Sequence, residues 1–172
     1  MNIFFLHLDP KKCAEMHVDK HVVKMILESV QLLCSAHHLH PCDNYTPPYK
    51  LTHKNHPSSI WTRTSKENYL WLVSLTKELC KEYTFRYGKK HKCEQYLEDL
   101  EKNIPNIEKN EFTPPLPAMP DIYKNKFTNN KEQDIENSIE SYRQYYFFEK
   151  SDLFSWKKRE VPQFIKEYYE LF

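Results

Sequence analysis

The chain has 172 residues, 40% of them hydrophobic and 28% charged, with a formal net charge of +1. That length carries one domain with a real core. The near-neutral balance argues against a dedicated duplex binder, whose affinity leans on phosphate neutralisation, and leaves room for a local basic patch. A single glycine, Gly88, rules out GxGxxG, GxxxxGK[ST] and GxSxG, and with them Rossmann-type dinucleotide binding, P-loop nucleotide hydrolysis and the nucleophile elbow.

Residues 2–8, NIFFLHL, read as a short strand or extended entry segment. Asp9 and Pro10 then supply an N-cap and a first helical residue, which predicts a helix from Pro10 to His38. On it His17, His21, Lys24, Glu28, Gln31 and Ser35 fall within an arc of roughly 80°. Most of the remaining surface is apolar, including Val18, Val22, Met25, Ile26, Val30 and Leu33. One reading is an ordinary solvent face. The other is a polar file aimed into a cleft, where two imidazoles, an amine and a carboxylate make an acid–base constellation. His17 and His21 also share a face as metal ligands do. HExxH is absent, however, because Val18 stands where the glutamate belongs, and no third ligand has zinc-like spacing, so no metal or other cofactor is expected.

Residues 40–57 are irregular and proline-rich. Ser58 or Ser59 can cap a second helix reaching Tyr87, ended by Gly88 as a C′ residue. Before it His53, Asn55 and His56, and on its first turns Arg63 and Lys66, form a possible phosphate-binding corner. At its far end Arg86, Lys89, Lys90 and His91 interleave with Tyr83, Phe85 and Tyr87, a pattern that grips a nucleic-acid backbone or merely complements a helix dipole. A third helix is expected from Lys90 to Lys102. A long proline-rich loop follows, and then a polar stretch, 125–133, that reads as a mobile insertion. A fourth helix, Asp134–Lys150, presents Tyr142, Arg143, Tyr146 and Lys150. The end gives one or two short helices broken at Pro162. The fold class is mostly α, a single domain over 1–172. Five cysteines without a CxxC pair, no secretory leader and no membrane-length apolar run point to an intracellular chain, in cytoplasm or nucleus, with no membrane partner.

The blocks LDP, AEMH-x-DKHVVKMILES-x-QLL, THKNHP, SKENYLWL, EYTFRYGKKH, AMPD, YR-x-YY and W-x-KRE together resemble a family of small uncharacterised proteins of bacteriophages and large DNA viruses. More distantly the layout is similar to pyrimidine-dimer DNA glycosylases of the endonuclease V type. That likeness implies a compact helical fold, excision of damaged pyrimidines and cutting of the abasic strand without a metal. It also implies an α-amino nucleophile exposed after Met1 removal and a glutamate on the first helix. Here residue 2 is Asn, which normally leaves Met1 in place, and the family's glutamate falls near Lys24 by helix register, with Glu28 one turn on.

The function expected is therefore DNA processing or repair by a metal-independent glycosylase or abasic lyase. Lys24 would be the amine if desolvated, and Glu28 the acid–base or stabilising carboxylate. His17 and His21 would move protons or hold phosphate, and His53, Asn55, His56, Arg63, Lys66, Arg86, Lys89, His91 and Arg143 would contact nucleic acid. The alternatives are a non-catalytic adaptor or inhibitor that binds a host protein or a signalling nucleotide, and an enzyme acting on a small nucleotide.

Overall fold

Asp9 accepts from the Lys11 amide and Pro10 opens the first helix, as their order in the sequence predicts. The computed structural model describes residues 1–172 and contains seven α-helices and no strand. These are α1 (Pro10–Met16), α2 (Asp19–Leu39), α3 (Pro57–Thr62), α4 (Lys66–Tyr87), α5 (Leu97–Lys102), α6 (Lys131–Glu149) and α7 (Gln163–Leu171). The long α2 and α4 pack against each other, α1 crosses α4, and α3 lies on α2. Between them sits one core holding Leu6, Ile26, Leu33, Trp61, Leu72 and Tyr142. No helix is long and apolar enough to cross a membrane.

Three expected elements are corrected. The first helix is two, because the chain turns extended at His17 and Val18. The second is also two. His56 caps α3 with Pro57 behind it, and Ser65, accepting from the Asn68 amide, starts α4 afresh. Residues 2–8 take the extended form of the two expected for them; Ile3 to Leu6 run as a buried thread, with Phe5 against Trp71 at 5.0 Å. The expected third helix begins as a 3-10 turn over Lys92–Tyr96 before α5. Gly88, with φ 69°, ends α4 as expected.

The proline-rich stretch after α5 is strapped down by side chains that need partners in the core. Asn68 bonds Thr113 through both amide atoms, and Trp61 Nε1 donates to the Thr113 carbonyl at 2.8 Å. Further along, the Thr128 and Asn129 amides donate to the Asp134 carboxylate, and the Asn125 amide to Ser141 Oγ, which ties residues 125–129 to α6.

Candidate functional site

The site is built around the corner between α1 and α2. Breaking a helix frees carbonyls at one end and amides at the other. Arg86, 1% exposed, takes the carbonyls: its guanidinium donates to Glu15 O at 2.9 Å and His17 O at 2.7 Å, and pairs with Asp19 and Glu82. Tyr146 Oη takes the Val18 amide at 3.0 Å. Arg86 is therefore a cap and ion-pair hub without a free donor face. Its expected role as a nucleic-acid contact is corrected.

His17 is corrected as well. It is the C-cap of α1, fully buried, and its Nδ1 lies 2.7 Å from Cys13 O. A carbonyl only accepts, so Nδ1 carries the proton and Nε2 is left buried without a partner. Burial pushes the ring down to about 4. His17 stays neutral beneath the surface and cannot shuttle protons to a ligand.

His21 is placed differently. Its Nδ1 is 2.8 Å from Tyr146 Oη. That hydroxyl accepts from Val18, and Nδ1 is the acceptor within reach of its own proton, which puts the ring's hydrogen on Nε2. Burial, then the neighbouring His17, Lys150 and Lys24, push His21 down to about 3. The ring stacks on Phe4 at 4.3 Å and lines a pocket of about 110 Å³ with Met1, Lys24, Glu28, Tyr145 and Lys150. His21 thus offers the pocket a neutral N–H donor.

At the inner wall the Met1 amino nitrogen lies 3.4 Å from Glu28 Oε1, with the two side chains 4% and 13% exposed. Glu28 Oε2 is buried and has no hydrogen-bond partner. The amine is held by its neighbours. Asn2 Oδ1 accepts from the Ile3 amide and Tyr142 Oη, and its Nδ2 donates to Ala118 O. Behind it His56 accepts from the Ser58 amide; burial and then the Met1 ammonium hold its ring below the ordinary histidine range, while Glu28 and the Met1 backbone pull it back. Lys24 stands exposed beside the pocket, and Lys150 lies over the Tyr145 ring at 5.0 Å.

Of the polar file, then, His21, Lys24 and Glu28 meet in one pocket, and His17 does not join them. The phosphate-binding residues read from the sequence are scattered. His53, in the left-handed region at φ 49°, bonds Thr52 through Nδ1, and Asn55 is exposed in the same turn. Arg63 donates to Ser59 Oγ and lines a separate cavity with Lys109. Lys66 opens α4 beside Cys42 and Asp43. Lys89 is exposed past Gly88, and His91 accepts from the Cys93 amide and packs on Tyr83. Arg143 turns inward, donating to Leu6 O and lying over Phe164.

Sequence reasoning did not place the Met1 amine, Asn2, Phe4 or Tyr145 in the site. The α-amino nucleophile implied by the resemblance was the one pointer to Met1. No three His, Cys, Asp or Glu side chains gather to hold a metal ion. No family model, curated protein or solved structure matches the chain.

Proposed function

We propose that the protein processes DNA through an imine, as a glycosylase or abasic-site lyase does, with the Met1 amine as nucleophile and Glu28 as its proton acceptor. The observation that carries this reading is the amine–carboxylate contact of 3.4 Å inside a pocket. An amine attacks a sugar carbon only after losing a proton, and the carboxylate beside it is the base at hand. Lys24 and Lys150 add positive charge that suits flanking phosphates, and His21 Nε2–H adds a neutral donor. The distant likeness to endonuclease V-type glycosylases supports the same pairing of amine and glutamate. Here the half-buried Met1 takes the place of the small residue which that family exposes. Lys24, the amine expected from the sequence, is solvated and better suited to a phosphate.

The test is borohydride trapping on a duplex with an abasic site, followed by peptide mapping. The adduct should fall on Met1, survive Lys24→Ala, and vanish when one residue is added before Met1. An adduct on a lysine, or one that survives the extension, overturns the assignment. Replacing Lys24 and Lys150 by Ala should lower the slope of log affinity against log salt by about 0.9 for each phosphate left without its lysine.

One observation favours the adaptor reading instead. Ile122 is 81% exposed and Phe172 70%, and Phe172 contacts Phe148 and Tyr168 beside exposed Tyr169 and Leu171. Apolar patches of this kind mark protein interaction sites. Absence of any adduct would promote it.

A further inference from the structure

The segment that follows α2 carries a second set of reactive side chains. Of the five cysteines Cys13, Cys34, Cys80 and Cys93 are buried, and Cys42 alone is half-buried. It lines a surface depression with Asp43, Lys66 and Asn106, which shares no residue with the Met1 pocket. We propose that Cys42 is a thiol-exchange site: with His37 as its proton acceptor, it forms a mixed disulfide with a small disulfide that bears carboxylates.

The pair comes from the stretch AHHLHPCD. His37 stands in the last turn of α2, and Pro41, just past the helix end, cannot continue it. Beyond the proline Cys42 Sγ lies 3.7 Å from His37 Nδ1. A third group fixes the ring. Tyr69 Oη is 2.7 Å from Leu100 O and 2.9 Å from His37 Nε2. Two oxygens that close need a proton between them, and a carbonyl has none, so the hydroxyl donates to Leu100. Nε2 must then donate to the hydroxyl, which leaves Nδ1 with a lone pair towards the thiol. The ring is 2% exposed and packed against Tyr45 at 4.7 Å and Tyr69 at 5.6 Å. Nucleophile, base and a group that orients the base are the parts from which activated thiols are built.

Burial holds the His37 ring down at about 4, so it is uncharged at neutral pH and its lone pair is open. A proton taken from Cys42 leaves the pair neutral overall, and the thiolate beside the ring offsets the burial that opposes its charge. The thiolate attacks one sulfur of the disulfide. The Cys42 S–S bond forms as the ligand's S–S bond breaks, and the departing thiolate takes the proton back from His37. Cys42 is oxidised, the leaving sulfur is reduced, and nothing else is consumed. The surroundings select the ligand by charge. Lys66 borders the depression, and Arg63 and Lys109 border the next one, with Asn106 common to both. Three cations suit carboxylates, and Asp43 and Glu108 among them suit an ammonium on the same molecule.

The test is mixed-disulfide formation on the whole chain at neutral pH, with oxidised glutathione as the probe, followed by intact mass and peptide mapping. A single glutathione should add, on Cys42, and Cys42→Ser should abolish the addition. The rate should be at least about tenfold that of a peptide of residues 38–46, which has the thiol and lacks His37. His37→Gln should bring the rate down to the peptide's, with Cys42 still the residue labelled. If that variant fails to fold, the comparison of the unaltered protein with the peptide still decides. A rate at or below the peptide's, or first addition on another cysteine, overturns the inference. Cystamine, a disulfide with amines and no carboxylate, should gain less over its own rate with the peptide than glutathione does. An equal or larger gain overturns the choice of carboxylates.

Discussion

Replacing Arg86 by Met separates a structural arginine from a DNA contact. The guanidinium donates to Glu15 O and His17 O and pairs with Asp19 and Glu82, and its side chain is fully buried. Removing one partner of a buried ion pair costs about 3–5 kcal/mol, because the other charge is left without its solvation. Glu82 keeps Arg159, which moderates the loss. The two carbonyls lose their donor, which adds to it, each by roughly 1–3 kcal/mol at most. These terms are not additive, and the expected net is about 4 kcal/mol. With an m-value near 2 kcal/mol/M, the urea midpoint falls by about 2 M. Arg86→Lys keeps the charge but cannot reach all four groups at once, so it should lose about half as much. Arg159→Met, at a side chain 33% exposed, should lose less than about 1.5 kcal/mol. Urea unfolding of the three variants gives the comparison. A loss under about 1 kcal/mol for Arg86→Met, or one equal to that of Arg159→Met, would refute the capping role.

Tyr146→Phe deletes the hydroxyl shared by the Val18 amide and His21 Nδ1. Both are buried and cost roughly 1–3 kcal/mol each when unpaired, so a loss of about 3 kcal/mol is expected by urea unfolding; an unchanged midpoint would show that the hydroxyl holds neither group. Burial holds His17 and His37 near 4 and His21 near 3, against an ordinary 6.5. The unfolded chain therefore takes up protons first as pH falls below 6.5. Stability is full above that value and is lost towards pH 4, by up to about 4 kcal/mol per pH unit if all three act together. Equal stability at pH 7 and pH 5 would show that these rings are not held neutral. Gly88→Ala should cost about 1 kcal/mol, from the left-handed backbone alone, since nothing lies within 4 Å of the added carbon; a loss of several kcal/mol would mean that the methyl meets a neighbour there.

What the sequence disclosed follows from how local each cause is. Asp9–Pro10 and Gly88 act within one turn of chain, and they mark helix ends where they stand. His21, Lys24 and Glu28 share a helix face by spacing alone, and the fold keeps them together. The break at His17 is stabilised by Arg86 and Tyr146, 69 and 128 residues away from the groups they bond, which no periodicity records. Arg86 looked basic and surface-like among Lys89, Lys90 and His91, yet Glu82 four residues earlier was the sign that it could be paired and turned inward. The two helix starts near residue 60 were confused for a simpler reason. Ser58, Ser59 and Ser65 are equivalent caps by residue type, while the His56 ring, with Pro57 following, claimed the first start.

The corner between α1 and α2 also sets a schedule for the growing chain. Its carbonyls wait for Arg86, 69 residues beyond His17, and its first free amide for Tyr146, 128 residues beyond Val18. At about 5–20 residues per second of synthesis, the first gap alone lasts some 3–14 seconds. During that interval the Glu15 and His17 carbonyls have only water to turn to. Met1 and Glu28 are made well before Tyr145 and Lys150, which wall their pocket from the end of α6 and just beyond it. A ribosome stalled before α6 would therefore hold a chain with its amine and carboxylate in place and no pocket around them.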